Sequence, residues 1–135
     1  MEFDPKAFIA DPELFSALER QCAQLNCAAE QTLFQQGDPP AGVYILQDGE
    51  ATLSLEGPDG HTILSIRVHP GSLLGLPAIL GGQPYSLTSV AQPGARVGFV
   101  SREDFTQLIQ ANPQLSFKML QVLAAEVRTA RSALR

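Results

Sequence analysis

Between Gln31 and Ser101 the chain is interrupted by turn signals about every ten residues. They are Gly37-Asp38-Pro39-Pro40, Asp48-Gly49, Asp59-Gly60 and Pro93-Gly94. Asp-Gly supplies the positive backbone angles that a tight hairpin needs, and proline cannot donate to a sheet ladder. The runs between these breaks are short and β-rich: GVYIL, ATLSL, TILSIRV, SLTSVA and ARVGFV. Thr52, Leu53 and Leu55 face Ile63, Leu64 and Ile66 across Asp59-Gly60 as the arms of a hairpin. Many short strands without helices between them predict an antiparallel sandwich or barrel and exclude a parallel α/β sheet.

Helices are expected at both ends. Asp11-Pro12-Glu13 combines an N-cap acid, a first-turn proline and a first-turn acid, and Leu14, Phe15, Leu18, Cys22 and Leu25 follow at helical spacing. This predicts a helix over about 11–25, then a β region over about 30–100. Ser101-Arg102-Glu103-Asp104 starts a second helix, about 101–111, carried by Phe105, Leu108 and Ile109. Asn112-Pro113 breaks it, and a third helix runs over about 113–134. Its residues Leu120, Leu123, Val127, Ala130 and Leu134 recur at alternating three- and four-residue steps, the seam of a helix that meets a partner helix. Phe117 and Met119 lie off that seam and are expected to cover the domain itself.

Residues 1–135 thus read as a single domain, long enough for a core without metal or disulfide staples. The net charge of −5 argues against a general nucleic-acid binder, although it is uneven: residues 1–60 carry eleven acids and two bases, residues 61–135 seven bases and three acids. Cys22 and Cys27 lack the further ligands of a thiolate metal site, and His61 and His69 read as strand-end residues. No metal or cofactor is expected. No apolar run reaches the length of a membrane span and the acidic N-terminus is unlike a secretion signal, so the expected home is the cytoplasm. No Ser/His/Asp or Cys/His set emerges, so no enzymatic activity is expected.

Three ordered blocks carry a resemblance: LFQQGDPPAGVYILQDGEATL, PGSLLGLPAILGGQPYSLTSVA and SREDFTQLIQANPQLSFKML. From Leu33 to Arg131, about three-quarters of the chain, the sequence resembles the cyclic-nucleotide-binding effector domain of the catabolite-activator and anaerobic-regulator (Crp/Fnr) transcription factors. The resemblance implies a mainly β fold with flanking helices: an antiparallel double-stranded β-helix, or jelly-roll, with an N-terminal helix and a long C-terminal dimerisation helix. The family's regulators continue into a winged helix-turn-helix. This sequence ends at Arg135, which implies no nucleic-acid binding by itself.

The family's phosphate cassette reads approximately G-E-x-A…R-S/T-A. Its glutamate takes the ribose hydroxyl, while its arginine, its Ser/Thr and backbone N–H groups hold the cyclic phosphate. Gly75, Ala78 and Ser86 match that pattern, but Leu76 stands at the glutamate position and Tyr85 at the arginine position. Losing a buried arginine–phosphate pair typically costs ~2–5 kcal/mol. Pro77 removes one backbone donor as well. Arg67 and Arg96 are the candidate substitutes on nearby strands. The polar pair that reaches the base in relatives falls on Ala130 and Arg131, with Thr129 and Ser132 adjacent.

A degenerate pocket is therefore expected, lined by Leu53, Leu64, Leu73, Gly75, Leu76, Pro77 and Tyr85, with Ser65, Ser86 and Thr88 as polar anchors. Such a lining suits an apolar small molecule, or else it is core and the domain meets a protein partner. The leading expectation is a sensor or interaction domain, homodimeric through its last helix, that does not bind cAMP or cGMP. The alternatives are a genuine cyclic-nucleotide-binding domain and the effector half of a DNA-binding regulator. Tyr85→Arg with Leu76→Glu is expected to restore nucleotide affinity if the cassette alone was lost.

Overall fold

The computed structural model describes residues 4–133, and side chains through residue 130. After a 3-10 turn at Pro5–Phe8 come α1 (Pro12–Glu19), β1 (Ala23–Asn26), β2 (Gln31–Phe34), β3 (Gly42–Asp48), β4 (Ala51–Glu56), β5 (Thr62–Val68) and β6 (Leu73–Leu74). Then follow α2 (Leu76–Gly81), β7 (Thr88–Ala91), β8 (Arg96–Ser101), α3 (Arg102–Ala111) and α4 (Gln114–Ala133). The strands form two four-stranded antiparallel sheets, ordered β1-β8-β3-β6 and β2-β7-β4-β5. The turn spacing predicts such an antiparallel arrangement, and the jelly-roll is the form the resemblance implies. Gly49 and Gly60, the glycines of the two Asp-Gly turns, both have positive φ, 81° and 85°.

The helix ends follow their capping chemistry. The Asp11 carboxylate accepts from the N–H groups of Glu13 and Leu14, and Ser101 Oγ from that of Asp104. Lys118 of α4 lies 3.0 Å from Asp11 and 3.5 Å from Glu13, tying the long helix to the start of α1. Its ammonium group holds the Asp11 carboxyl below the usual carboxylate range.

The first helix is shorter than its periodicity predicts. It ends at Glu19, and Ala23–Asn26, of which 23–25 are expected as its last turn, instead form β1 against β8, Gln24 opposite Gly98. A sheet edge offers this segment a full ladder of partners, which outweighs helical propensity. Cys22 fits the junction because Gly98 has no side chain: a Cβ there would lie 2.6 Å from the Cys22 sulfur.

The core has two compartments. One lies between the sheets, with Phe34, Leu46, Leu53, Val68, Leu74 and Val97 among its residues. The other lies between the β1-β8-β3-β6 sheet and the helices, with Val43, Ile45, Leu73, Phe105, Leu115 and Met119. That sheet is covered on both faces, whereas β5 alternates half-buried and exposed residues over Leu64–Arg67 before ending at the buried Val68. The α4 stripe facing the domain is Leu115, Met119, Val122, Glu126 and Thr129. Met119 packs inward as expected. Phe117 does not: it is 67% exposed, on the outer side with Leu120 and Val127.

Candidate functional site

Leaving β6, the chain turns at Gly75, runs through α2 and returns by a loop into Tyr85, Ser86 and β7. Gly75 is left-handed, φ 89°, and a Cβ on it would come within 2.9 Å of the Tyr85 ring. Only glycine satisfies both constraints without strain. Pro77 occupies the first turn of α2, where it has no N–H to offer.

Tyr85 fills the cradle and is itself saturated. Its hydroxyl donates to the Gly42 carbonyl at 2.6 Å and accepts from the N–H groups of Ala41 and Gly42, both at 3.1 Å. Its ring stacks on Phe34 with centroids 4.1 Å apart. Its backbone N–H donates to the Asp38 carbonyl, and its carbonyl accepts from the Gly37 N–H. Tyr85 thus fastens the Gly37–Pro40 turn and the start of β3 to the cassette. The cavity remaining beside it, bordered by Phe34, Leu53, Gly75, Pro77 and Ala78, is about 30 Å³. That is room for a water molecule or so, far below a nucleotide.

Sharing Phe8, Pro77, Ser86, Leu87 and Glu126 with this cavity is a larger apolar groove of about 280 Å³ between this loop and α4. Phe8, Leu55, Pro77, Ser86, Leu87, Glu126, Val127 and Ala130 border it. Glu126 borders both spaces and is 7% exposed. Its Oε2 has no hydrogen-bond partner among the described residues. Burial pushes its carboxyl up to about 8, since water is excluded and no cation among the described residues compensates. The adjoining inward residue, Thr129, is occupied: its Oγ1 accepts from the Asp4 N–H at 2.6 Å.

Only part of the expected lining converges here. Leu53, Gly75, Pro77, Tyr85 and Ser86 border the cavity or the groove. Leu73 and Leu76 do not, because both belong to the helix-side core. Leu74 points between the sheets in their stead. Leu64 is half-buried opposite Leu55 and is not among the bordering residues. Ser65 is exposed opposite Ser54, on the other side of the sheet from Leu53. Thr88 also pairs with Ser54 and borders a separate polar depression, its Oγ1 accepting from the Gln36 N–H. A strand's side chains alternate, so a one-residue displacement in reading moves each to the opposite face.

Neither candidate arginine substitutes for the missing charge: Arg96 is exposed, and Arg67 is exposed and 3.8 Å from Glu50. Ala130 borders the groove, whereas the Arg131 side chain and Leu134 lie outside what is described. Glu126 and the buried Ser89, whose Oγ also lacks a described partner, were not anticipated. Glu126 was readable in principle, being four residues beyond Val122 on the inward stripe. Among the described residues no group of three or more His, Cys, Asp or Glu could hold a metal ion, and no helix is long and apolar enough to cross a membrane.

Comparison with known proteins agrees with the fold. The sequence profile of the cyclic nucleotide-binding domain matches residues 24–112. The CRP-like cAMP-activated global transcriptional regulator of Mycobacterium tuberculosis is 25% identical over 118 residues, covering 87% of this chain and 53% of the regulator. Human patatin-like phospholipase domain-containing protein 6 is 29% identical over 122 residues, covering 85% of this chain but 9% of that protein. The chain therefore spans about half the length of the regulator and a small part of the phospholipase-domain protein. In three dimensions, Thermus thermophilus catabolite activator protein superposes with a TM-score of 0.78 at 24% identity, covering 97% of this chain and 62% of that one. The sensor domain of the regulator DNR from Pseudomonas aeruginosa gives 0.68 at 18% identity, covering 90% and 82%. With the profile spanning well over half of the residues, this chain belongs to the cyclic nucleotide-binding domain family.

Proposed function

We propose that the chain is a sensor domain whose phosphate cassette is degenerate, so that it responds to a ligand other than cAMP or cGMP. One observation carries this reading: Tyr85 stands where the family pattern has arginine, with its hydroxyl committed to the backbone of Ala41 and Gly42. Two further observations support it. The space beside Tyr85 is about 30 Å³, and the titratable side chain shared with the adjoining groove is an acid. Among the described residues a cyclic phosphate there would meet a carboxyl and no guanidinium, an arrangement that disfavours binding in a poorly solvated site. The role is regulatory rather than catalytic.

Thermal melts in millimolar cAMP or cGMP test the reading and are expected to superpose on the melt without nucleotide. A nucleotide present at a hundred times its Kd would stabilise the fold by ~2.7 kcal/mol, several degrees for a domain of this size, and such a rise would overturn the proposal.

The output of such a sensor would be carried by α4, as a homodimer through the outer stripe of the helix. Phe117, Leu120 and Val127 are 67, 51 and 49% exposed, more apolar surface than one helix face usually leaves in water. Ala130 is half-buried at the groove, and Leu123 is half-buried against the helix-side core. Phe117→Glu with Leu120→Glu is therefore the cleaner test of association than any change at Leu123. Wild type is expected to sediment as a dimer and the double variant as a folded monomer. A monomeric wild type, or an unchanged mass for the variant, would contradict the dimer. Val127 borders both the groove and the outer stripe, so a ligand in one would bear on helix pairing through the other.

A further inference from the structure

The groove between the Ser86–Leu87 segment and α4 has one unsatisfied chemical demand. Among the described residues its walls are Phe8, Leu55, Pro77, Leu87, Val127 and Ala130, and the polar side chains bordering it are Ser86 and Glu126. Ser86 is exposed and can use water. Glu126 is more than nine-tenths buried, and its Oε2 has no described partner. A carboxyl kept in that state is either neutral, wasting a strong acceptor, or ionised without a counter-charge. A ligand that satisfies it must bring a hydrogen-bond donor, and a cationic donor removes both penalties together.

We propose that this groove binds a small amphiphilic amine, its ammonium group against the Glu126 carboxylate and its apolar body along Leu55, Leu87 and Val127. The assignment rests on the reading of a degenerate cassette and names the ligand class for it. A volume of about 280 Å³ is at the lower end of small-molecule sites, enough for a short alkyl chain or a single ring. Anionic and neutral amphiphiles bring no positive charge, so with either the carboxyl keeps its proton and the charge-assisted pair is not formed. Tyr85, the other titratable side chain among those bordering the adjoining cavity, already uses its hydroxyl with Ala41 and Gly42, so the head group belongs to Glu126. Near neutral pH Glu126 holds its proton in the empty groove. Binding of the ammonium ion would leave the carboxylate paired and release that proton to the buffer.

Calorimetric titration of the domain with n-hexylamine, 1-hexanol and hexanoate tests this, with cAMP as a fourth probe. Hexylamine should bind saturably at pH 7, at least tenfold more tightly than the alcohol or the acid. In buffers of different ionisation enthalpy its binding should release about one proton per ligand. Glu126→Gln, which preserves size and shape, should abolish the preference for the amine and the proton release while leaving 1-hexanol unchanged. Hexylamine no tighter than 1-hexanol or hexanoate, or a preference surviving in Glu126→Gln, would overturn the inference. If neither hexylamine nor cAMP binds, this inference fails and the degenerate cassette stands. If cAMP binds saturably, the cassette reading itself fails.

Discussion

Glu126→Gln is expected to match wild-type stability near pH 4 and to exceed it by about 2–5 kcal/mol at pH 9. The carboxyl is pushed up to about 8 in the folded protein and takes its ordinary value, near 4.5, in the unfolded chain. Between those values the folded state holds a proton that the unfolded state has lost. Wild-type stability therefore falls as pH rises through the window, by up to about 1.4 kcal/mol per unit, and the loss is complete above about pH 8. Below pH 4.5 both states are protonated and the group contributes no slope. Glutamine has no proton to lose, so the difference between the two proteins isolates this one group. The range lies below or at the full product of window and slope because the end of α4 can relax and admit water to the carboxylate. Urea unfolding at pH 4, 6, 7.5 and 9 measures the difference. Parallel profiles would mean that Glu126 is solvated and ordinary.

Tyr85→Ala should be the most damaging single change in the cassette, at about 3–5 kcal/mol from the lost aromatic volume alone. The ring is 3% exposed and stacked on Phe34, and its hydroxyl joins three backbone groups of the Ala41–Gly42 segment. Tyr85→Phe separates the two contributions. It keeps the stack but leaves two N–H groups and a carbonyl without their partner, at about 1–3 kcal/mol. Denaturant midpoints rank the three proteins, and a phenylalanine variant as stable as wild type would show that the hydroxyl is dispensable. The geometry also changes what to expect of Tyr85→Arg with Leu76→Glu. Leu76 is fully buried in the helix-side core, so glutamate there would bury an acid among α1, α3 and α4 residues. Loss of folding, and not gain of nucleotide affinity, is the expected result.

The architecture was legible because its determinants are local. Asp48-Gly49 and Asp59-Gly60 set the hairpins, and Asp11 and Ser101 set helix starts, each through backbone chemistry written in two to four residues. What was not legible depended on partners distant in sequence. Ala23–Asn26 became a strand because β8 offers an edge beside Gly98. In the cassette, alternation alone could not orient Leu73, Leu74 and Leu76, since the sheet carrying β6 is buried on both faces. Ser65 and Thr88 fell on the wrong face by the parity of their strands, for which register with Ser54 is decisive. Glu126 was passed over because a lone acid on a helix is ordinarily solvated. The inward stripe that buries it shares α4 with an outer apolar stripe whose spacing is the stronger sequence signal.

The central claim is that this cassette keeps the family's backbone plan without affinity for its phosphate. Calorimetric titration of the wild-type domain with cAMP, up to millimolar nucleotide at pH 7, measures that directly. The expected result is a trace indistinguishable from dilution. Saturable heat with a Kd of about 100 μM or tighter, a binding free energy near −5.5 kcal/mol, would contradict it and require a cation that the described cradle does not contain.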